Sequence, residues 1–231
     1  MAKRYKTKVN LHISEGMDSV HACIKNRGTT PVRLLSQLGL LNERWNLIHV
    51  TSIDSDEIQM IADSGASVIH CPVSNAKTGA GIAPIVELQN KGVTIGLGTD
   101  ACSNNNTNNI LNEAYVARLF HSAVHQNPSL LKDDILFDWM TVNGHKMMDF
   151  VNTGKIEVGA RADLLLWDLS ATAFVPLPYG NLMSAFINNA PDLKPHTVII
   201  NGMRIIENYQ CKNVLEQQAI DEINAWAMKR E

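Results

Sequence analysis

Paired-cysteine spacings, blocks of single-sign charge and long apolar runs are all missing from this sequence, and each absence removes a class of protein. The four cysteines, Cys23, Cys71, Cys102 and Cys211, are scattered, with nothing resembling CxxC. That scatter argues against a disulfide framework or a thiolate zinc site and reads as free thiols in a reducing cytoplasm. No apolar run approaches the ~20 residues that span a bilayer. The N-terminal stretch MAKRYKTKVNLHISEG is basic but lacks the apolar core of a signal peptide. Lysine and arginine number 20 against 23 acidic residues, a formal net charge of -3, with no basic stripe and no acidic run. Nucleic acid and membrane are therefore not expected as partners. Low-complexity segments are also missing. What remains is 45% hydrophobic and 19% charged, the balance of a globular protein. At 231 residues it makes one large domain, or one domain with a small appendage.

The first two-thirds alternates short β-rich runs with longer helical patterns. The runs are Lys8–Ile13, Asn46–Val50, Ala66–Cys71 and Val93–Gly98. Each is apolar enough for a parallel strand buried on both faces. The helices between them have legible ends. Thr30-Pro31 reads as an N-cap with proline at the first helical position, and Gly39 follows the last turn. Asp54 with Glu57 makes a capping box, and Gly65 stops that helix. A third helix, about Ala83–Lys91, ends at Gly92. The repeated order helix, glycine, strand is the αβ connection of a parallel βα fold.

After Gly98 the pattern changes. Helical stretches are expected at Thr107–Gln126, Lys132–Met140 and Asn143–Phe150, with no further parallel strand. From Gly154 the chain turns β-like, with a turn at Glu157–Ala160 and a strand at Asp163–Trp167. A hairpin follows, pairing His196–Ile200 with Met203–Glu207 through Asn201-Gly202. An amphipathic helix over roughly Val214–Met228 closes the chain. Four βα units make either a small open α/β sheet or half of a (β/α)8 barrel, which by itself takes ~250 residues. Composition does not choose between them.

Catalytic and ligating groups of βα folds gather where parallel strands end. In order, the strand ends here offer His12 with Glu15, His49, the Ser74-Asn75 loop and Asp100. Two imidazoles and two carboxylates on one rim suit a divalent metal whose bound water becomes a nucleophile. Such ligands favour zinc or iron(II) over a thiolate-bound metal. Taken singly, each has a plainer reading: a hydrogen-bonded strand-end histidine, a chance HxxE, an aspartate capping the next helix. It is their coincidence at successive strand ends that points to a site. His21, His121 and His125 read as surface or packing residues and His70 as core. His145 and His196 have no partner in the local sequence.

The segments LHISEG, LIHVTSIDSDEI, GASVIHCPVSNAKTGAGIAPI and GVTIGLGTDACSNNN resemble, in that order, the last four barrel strands of the amidohydrolase superfamily. The branch most similar contains methylthioadenosine/S-adenosylhomocysteine deaminases, cytosine and guanine deaminases, and triazine hydrolases. TGKIEVGARADLLLWDL resembles that branch's return into a small β-sandwich domain, and HTVIINGMRIIEN its closing hairpin. The likeness runs from about Val9 to Asn213. It implies an α/β fold: residues 1–153 as the C-terminal half of a (β/α)8 TIM barrel with extra helices, and 154–231 as part of the β-sandwich with a closing helix.

By position, His12 matches the family's metal-binding histidine after the fifth strand, and Glu15 the glutamate that shuttles a proton to the substrate ring. His49 matches the sixth-strand histidine that orients the attacked carbon and its water. Asp100 matches the eighth-strand aspartate, both metal ligand and general base. The implied activity is hydrolytic deamination, at a C–N bond other than a peptide bond, of a purine-like or triazine-like ring. Dechlorination of a triazine is the alternative chemistry. The family's first-strand HxH pair has no counterpart here. With His12 and Asp100 as its only matching ligands, the isolated chain is expected to hold metal weakly or not at all. A complementing N-terminal half or a homo-oligomer is expected as partner. A non-catalytic half-barrel is the alternative from another class.

Overall fold

The computed structural model describes residues 2–5, 7–176, 181–189, 194–212 and 216–229. Its elements run α1 (Ala2–Tyr5), β1 (Val9–Ile13), α2 (Gly16–Arg27), α3 (Pro31–Gln37), β2 (Trp45–His49), α4 (Ser55–Ser64) and β3 (Ser67–His70). Then come α5 (Pro72–Thr78), α6 (Ile85–Asn90), β4 (Ile95–Leu97), α7 (Cys102–Asn105), α8 (Ile110–His125), α9 (Asp133–Met140) and α10 (Val142–Met147). The last part holds β5 (Leu164–Leu166), a 3-10 turn Thr172–Phe174, α11 (Leu182–Asn189), β6 (Thr197–Ile200), β7 (Met203–Glu207), β8 (Gln210–Cys211) and α12 (Glu216–Ala227).

The four expected parallel strands form one sheet in the order β1-β2-β3-β4. Register and burial together separate its faces. Leu11 pairs with Leu47, Leu47 with Val68 and Val68 with Ile95, so these four share one face. There they pack with Val32, Ile58, Ile61, Ile85 and Leu88 from the helices, all buried. The other face carries Asn10, His12, Asn46, Ile48 and Ile69. Asn10 and His12 are exposed there. Burial on both faces therefore fails at β1, because an edge strand has a neighbour on one side only, and what it exposes is polar.

Helix ends follow their local chemistry. The Asp54 carboxylate accepts from the N–H groups of Asp56 and Glu57 at 3.1 and 3.0 Å, and Glu57 Oε2 accepts from Asp54 N–H at 3.2 Å. That is the expected capping box, worth about 1 kcal/mol at its N-cap alone. Thr30 stands at the N-cap of α3 but does not cap it; its hydroxyl donates instead to Glu57 Oε1 at 2.5 Å. Arg33 grips Asp54 at 2.8 and 3.0 Å, so α3 and α4 are joined by one polar cluster. The expected long helix is α8, capped by Asn109, whose Oδ1 accepts from Leu111 N–H at 3.0 Å.

A second sheet, order β5-β6-β7-β8, is antiparallel throughout. Asn201 and Gly202 join β6 to β7 with φ of 50° and 78°, the left-handed pair that a tight hairpin requires. Asn208 and Tyr209, with φ of 53° and 65°, make a second such turn into β8. No glycine marked it, and the sequence pattern passed over it. Also unmarked was α11, whose Phe186 meets Phe174 and Trp167 edge-on. The closing helix is described from Glu216; its expected start at Val214 and the end of the likeness at Asn213 lie outside the described residues.

Candidate functional site

His12 lies one residue before the end of β1, and His49 ends β2. Asp100 follows β4 by three residues, and Glu15 stands at the N-cap of α2. One potential ligand atom from each of His12, His49 and Asp100 lies within 4.8 Å of the other two. On a flat sheet three inter-strand steps would hold β1 and β4 about 14 Å apart. Side chains standing perpendicular to the sheet would keep that spacing. The kinked or irregular segments at the strand ends, which hold His49 and Asp100, therefore carry these groups inward across that span.

Local backbone geometry completes the gathering. Parallel register sets His12 beside Ile48 and His49 beside Ile13, so a regular strand would send the two rings to opposite faces. His49 and Val50 adopt φ of 77° and 45°, a region costly for non-glycine and most of all for β-branched residues. This kink re-aims the ring. His49 Nε2 comes to 3.1 Å from His12 Nδ1, with the ring centroids 4.9 Å apart, and to 3.6 Å from Glu15 Oε2. His49 is fully buried and its Nδ1 lies 2.7 Å from Asn75 Oδ1.

Asp100 Oδ2 accepts from Ser74 Oγ at 2.5 Å and from Asn104 Nδ2 at 3.0 Å. Burial pushes its carboxyl up, but Ser74, Asn104, the Ala101 backbone N–H and nearby His49 outweigh this and hold it below the usual aspartate range. The N-cap of α7 is Ala101, so Asp100 serves the rim and is not a helix cap. The Cys71 thiol next to the rim is pushed far up by burial, with Asp100, Glu113 and Glu15 adding to the effect, and stays neutral.

All four residues singled out from the sequence thus meet at one place. Those set aside sort as follows. His70 and His121 are buried, 5.4 Å apart between ring centroids, with no hydrogen-bond partner among the described residues for any of their ring nitrogens. His125 is exposed and stacks on His121 at 6.0 Å. His196 does have a local partner, Thr197 Oγ1 at 2.9 Å, and Tyr209 packs edge-on against it. Asn104 and Glu113 escaped the sequence reading. The asparagine run after Asp100 was the only signal for Asn104, and it does not say which amide turns inward; Glu113 had none.

Two imidazoles and a carboxylate are a donor set that zinc or iron(II) accepts. Donors on a tetrahedral zinc with bonds of about 2.1 Å stand roughly 3.4 Å apart. The group's spread of up to 4.8 Å is close to that, so the residues present fit a metal, with His12 and Asp100 as ligands and His49 beside it.

Parallel strands whose C-terminal ends gather imidazole and carboxylate make a βα scaffold with a donor set that could take a metal. The chain belongs to the amidohydrolase family, whose model matches residues 1–205. It is 33% identical over 220 residues to a 5-methylthioadenosine/S-adenosylhomocysteine deaminase of Pyrococcus furiosus, covering 95% of this chain and 52% of that protein. The corresponding deaminase of Acetivibrio thermocellus is 31% identical over 219 residues, covering 94% and 50%. An adenosine deaminase from Xanthomonas campestris, solved with bound zinc, superposes with a TM-score of 0.93 at 29% identity, covering 99% of this chain and 52% of that one. An atrazine chlorohydrolase from Arthrobacter aurescens complexed with zinc has a TM-score of 0.89 at 24% identity, a likeness of fold. The chain spans about half the length of the relatives it matches.

Proposed function

We propose that this chain carries the second half of a metal-dependent aminohydrolase site that removes the amino group of a purine-like heterocycle with water. The observation that carries the reading is the meeting of His12, His49 and Asp100 within 4.8 Å, with Glu15 3.6 Å from His49. Relatives at 33% and 31% identity named as deaminases of adenine nucleosides support the substrate class. The same arrangement of water and carboxylates would displace chloride from a triazine, which is the second reading of the chemistry.

A divalent ion, zinc before iron(II), would be held by His12 and Asp100 and would supply the Lewis acidity that brings water toward its hydroxide form near neutral pH. Asp100, kept ionised by Ser74 and Asn104, accepts the proton of the attacking water. His49, fixed by Asn75, orients that water. Glu15 delivers a proton to the ring nitrogen as the amino-bearing carbon becomes tetrahedral; the proton taken by Asp100 then passes to the amino nitrogen, the C–N bond breaks to release ammonia, and the hydroxyl proton left on the carbonyl oxygen restores Glu15. Residues 1–153 form the barrel part in this reading and 154–231 belong to the sandwich. The missing ligand pair comes from an N-terminal half, in the same polypeptide or as a separate chain, and the site works in the cytoplasm. No helix among the described residues is long and apolar enough to cross a membrane.

The test is metal analysis and ammonia release from adenosine-type and chlorotriazine substrates, with and without an N-terminal half bearing HxH. One-to-one zinc and turnover are expected only with both halves. Asp100→Asn should lower kcat by about 10²–10⁴-fold, the usual worth of a general base. Tight one-to-one zinc in the chain alone that survives dialysis and depends on His12 would overturn the expectation that this chain holds metal weakly. A complemented chain that binds zinc and turns over none of these substrates would overturn the reading and favour the non-catalytic alternative.

A further inference from the structure

Glu113 is a fully buried carboxylate on α8 with no ion pair among the described residues. Burial raises its pKa, with Asp100's charge adding, while hydrogen bonds from Asn105 and Val73 oppose the rise. Its Oε2 accepts from Val73 N–H at 3.1 Å and its Oε1 from Asn105 Nδ2 at 2.6 Å. Val73 adjoins Ser74, and Asn105 adjoins Asn104, so the two segments that Glu113 grips are those whose next residues hold Asp100 Oδ2. Asn105 Nδ2 also donates to the carbonyl of Thr99, the residue before Asp100, at 2.7 Å.

We propose that Glu113 is a positioning residue for Asp100: one buried carboxylate ties the first turn of α5 to the end of α7 and thereby fixes both hydrogen-bond donors to the Asp100 carboxylate. The role of Asp100 in this statement rests on the proposed function; the clamp itself does not.

Hydrogen-bond accounting shows why glutamate is needed. Val73 N–H only donates. Asn105 is fixed in orientation, because its Oδ1 accepts from Thr107 N–H and Thr107 Oγ1 at 3.2 and 2.8 Å while its Nδ2 serves Thr99. Both oxygens of residue 113 must therefore accept, and a glutamine offers one. Glu113→Gln, ordinarily conservative, sets an NH2 group against a buried donor.

The experiment compares full-length wild type with Glu113→Gln, Asn105→Ala and, as a stability control in the core on α9, Leu136→Ala. Crystal structures and Asn104 side-chain amide resonances read the position of Asp100. In both clamp variants the Ser74 Oγ to Asp100 Oδ2 separation should open from 2.5 Å to beyond hydrogen-bonding distance, about 3.5 Å, with the Asn104 resonances shifted. Leu136→Ala should move neither. Folded clamp variants that keep both contacts to Asp100 would overturn the proposal, as would equal movement in the control. If Glu113→Gln does not fold, Asn105→Ala decides. If neither folds, the wild type decides through a trans-hydrogen-bond coupling from Val73 nitrogen to the Glu113 carboxyl carbon, whose absence sinks the clamp. Displacement of Asp100 with undiminished turnover in the complemented enzyme would support the clamp and overturn Asp100 as base.

Discussion

His49 Nδ1 lies 2.7 Å from the amide oxygen of Asn75, an atom that only accepts, so the ring proton sits on Nδ1 and the lone pair on Nε2. Nε2 in turn accepts from His12 Nδ1 at 3.1 Å, which leaves the His12 lone pair on its Nε2. One asparagine thus sets the tautomers of two rings. Asn75→Ala should cost about 1–3 kcal/mol by orphaning a buried donor. Long-range nitrogen–proton spectra should show His49 losing its single Nδ1–H form. An unchanged tautomer at unchanged stability would refute the assignment.

Gly98 is closed to any side chain. A Cβ there would stand 2.8 Å from Ile69 Cγ2 and 3.2 Å from Cys71 Sγ. Ile69 is β-branched and held in a strand, so it cannot swing away. Gly98→Ala should destabilise the chain by about 1–3 kcal/mol, as overpacking does. Chemical denaturation would measure this, and a neutral result would mean that β4 yields more easily than its packing implies.

Acid should weaken the fold through α8. Burial, with the charge of His125 adding and Glu87 opposing, brings His121 down to about 4 from the ordinary 6.5. A histidine depressed in the folded state binds its proton more readily when unfolded. Its contribution is fully present above pH 6.5 and is lost as pH falls from there toward 4. The loss from this group reaches about 3 kcal/mol. His121→Leu should flatten the pH dependence of unfolding between pH 6.5 and 4; an equal slope in both proteins would assign it elsewhere.

Among the described residues, the parallel sheet has two unpaired edges, along β1 and β4. Such edges invite pairing with another chain. Sedimentation of the isolated chain should show concentration-dependent association, and an N-terminal half should suppress it. A monomer at high concentration, indifferent to that half, would contradict the expectation.

The parallel strands and the hairpin could be read from sequence because each is a local signal: an apolar run between a glycine and a strand-end polar residue, or Asn-Gly between β-branched runs. The four site residues could be read because strand ends repeat. What escaped depended on contacts distant in sequence. Glu113 looks like any helical glutamate until α8 is laid behind the first turn of α5, where Val73 stands. Thr30 looks like a cap until α4 brings Glu57 to its hydroxyl. The polarity of the exposed face of β1 was legible in Asn10 and His12, but which face would be open depended on where the helices packed. Tyr209 carries a left-handed turn with no glycine to announce it, because Asn208 and the adjacent strands hold it there.

The order of the parallel sheet also bears on how the molecule forms. Val9 pairs with Trp45, Asn46 with Ser67 and Val68 with Ile95, so every strand docks on the one made just before it. No strand waits for a distant segment, and each ring closure spans a single βα unit. A chain emerging from the ribosome can lay down this wall strand by strand. Of these four strands the first carries His12, and the aspartate it meets arrives only with the last.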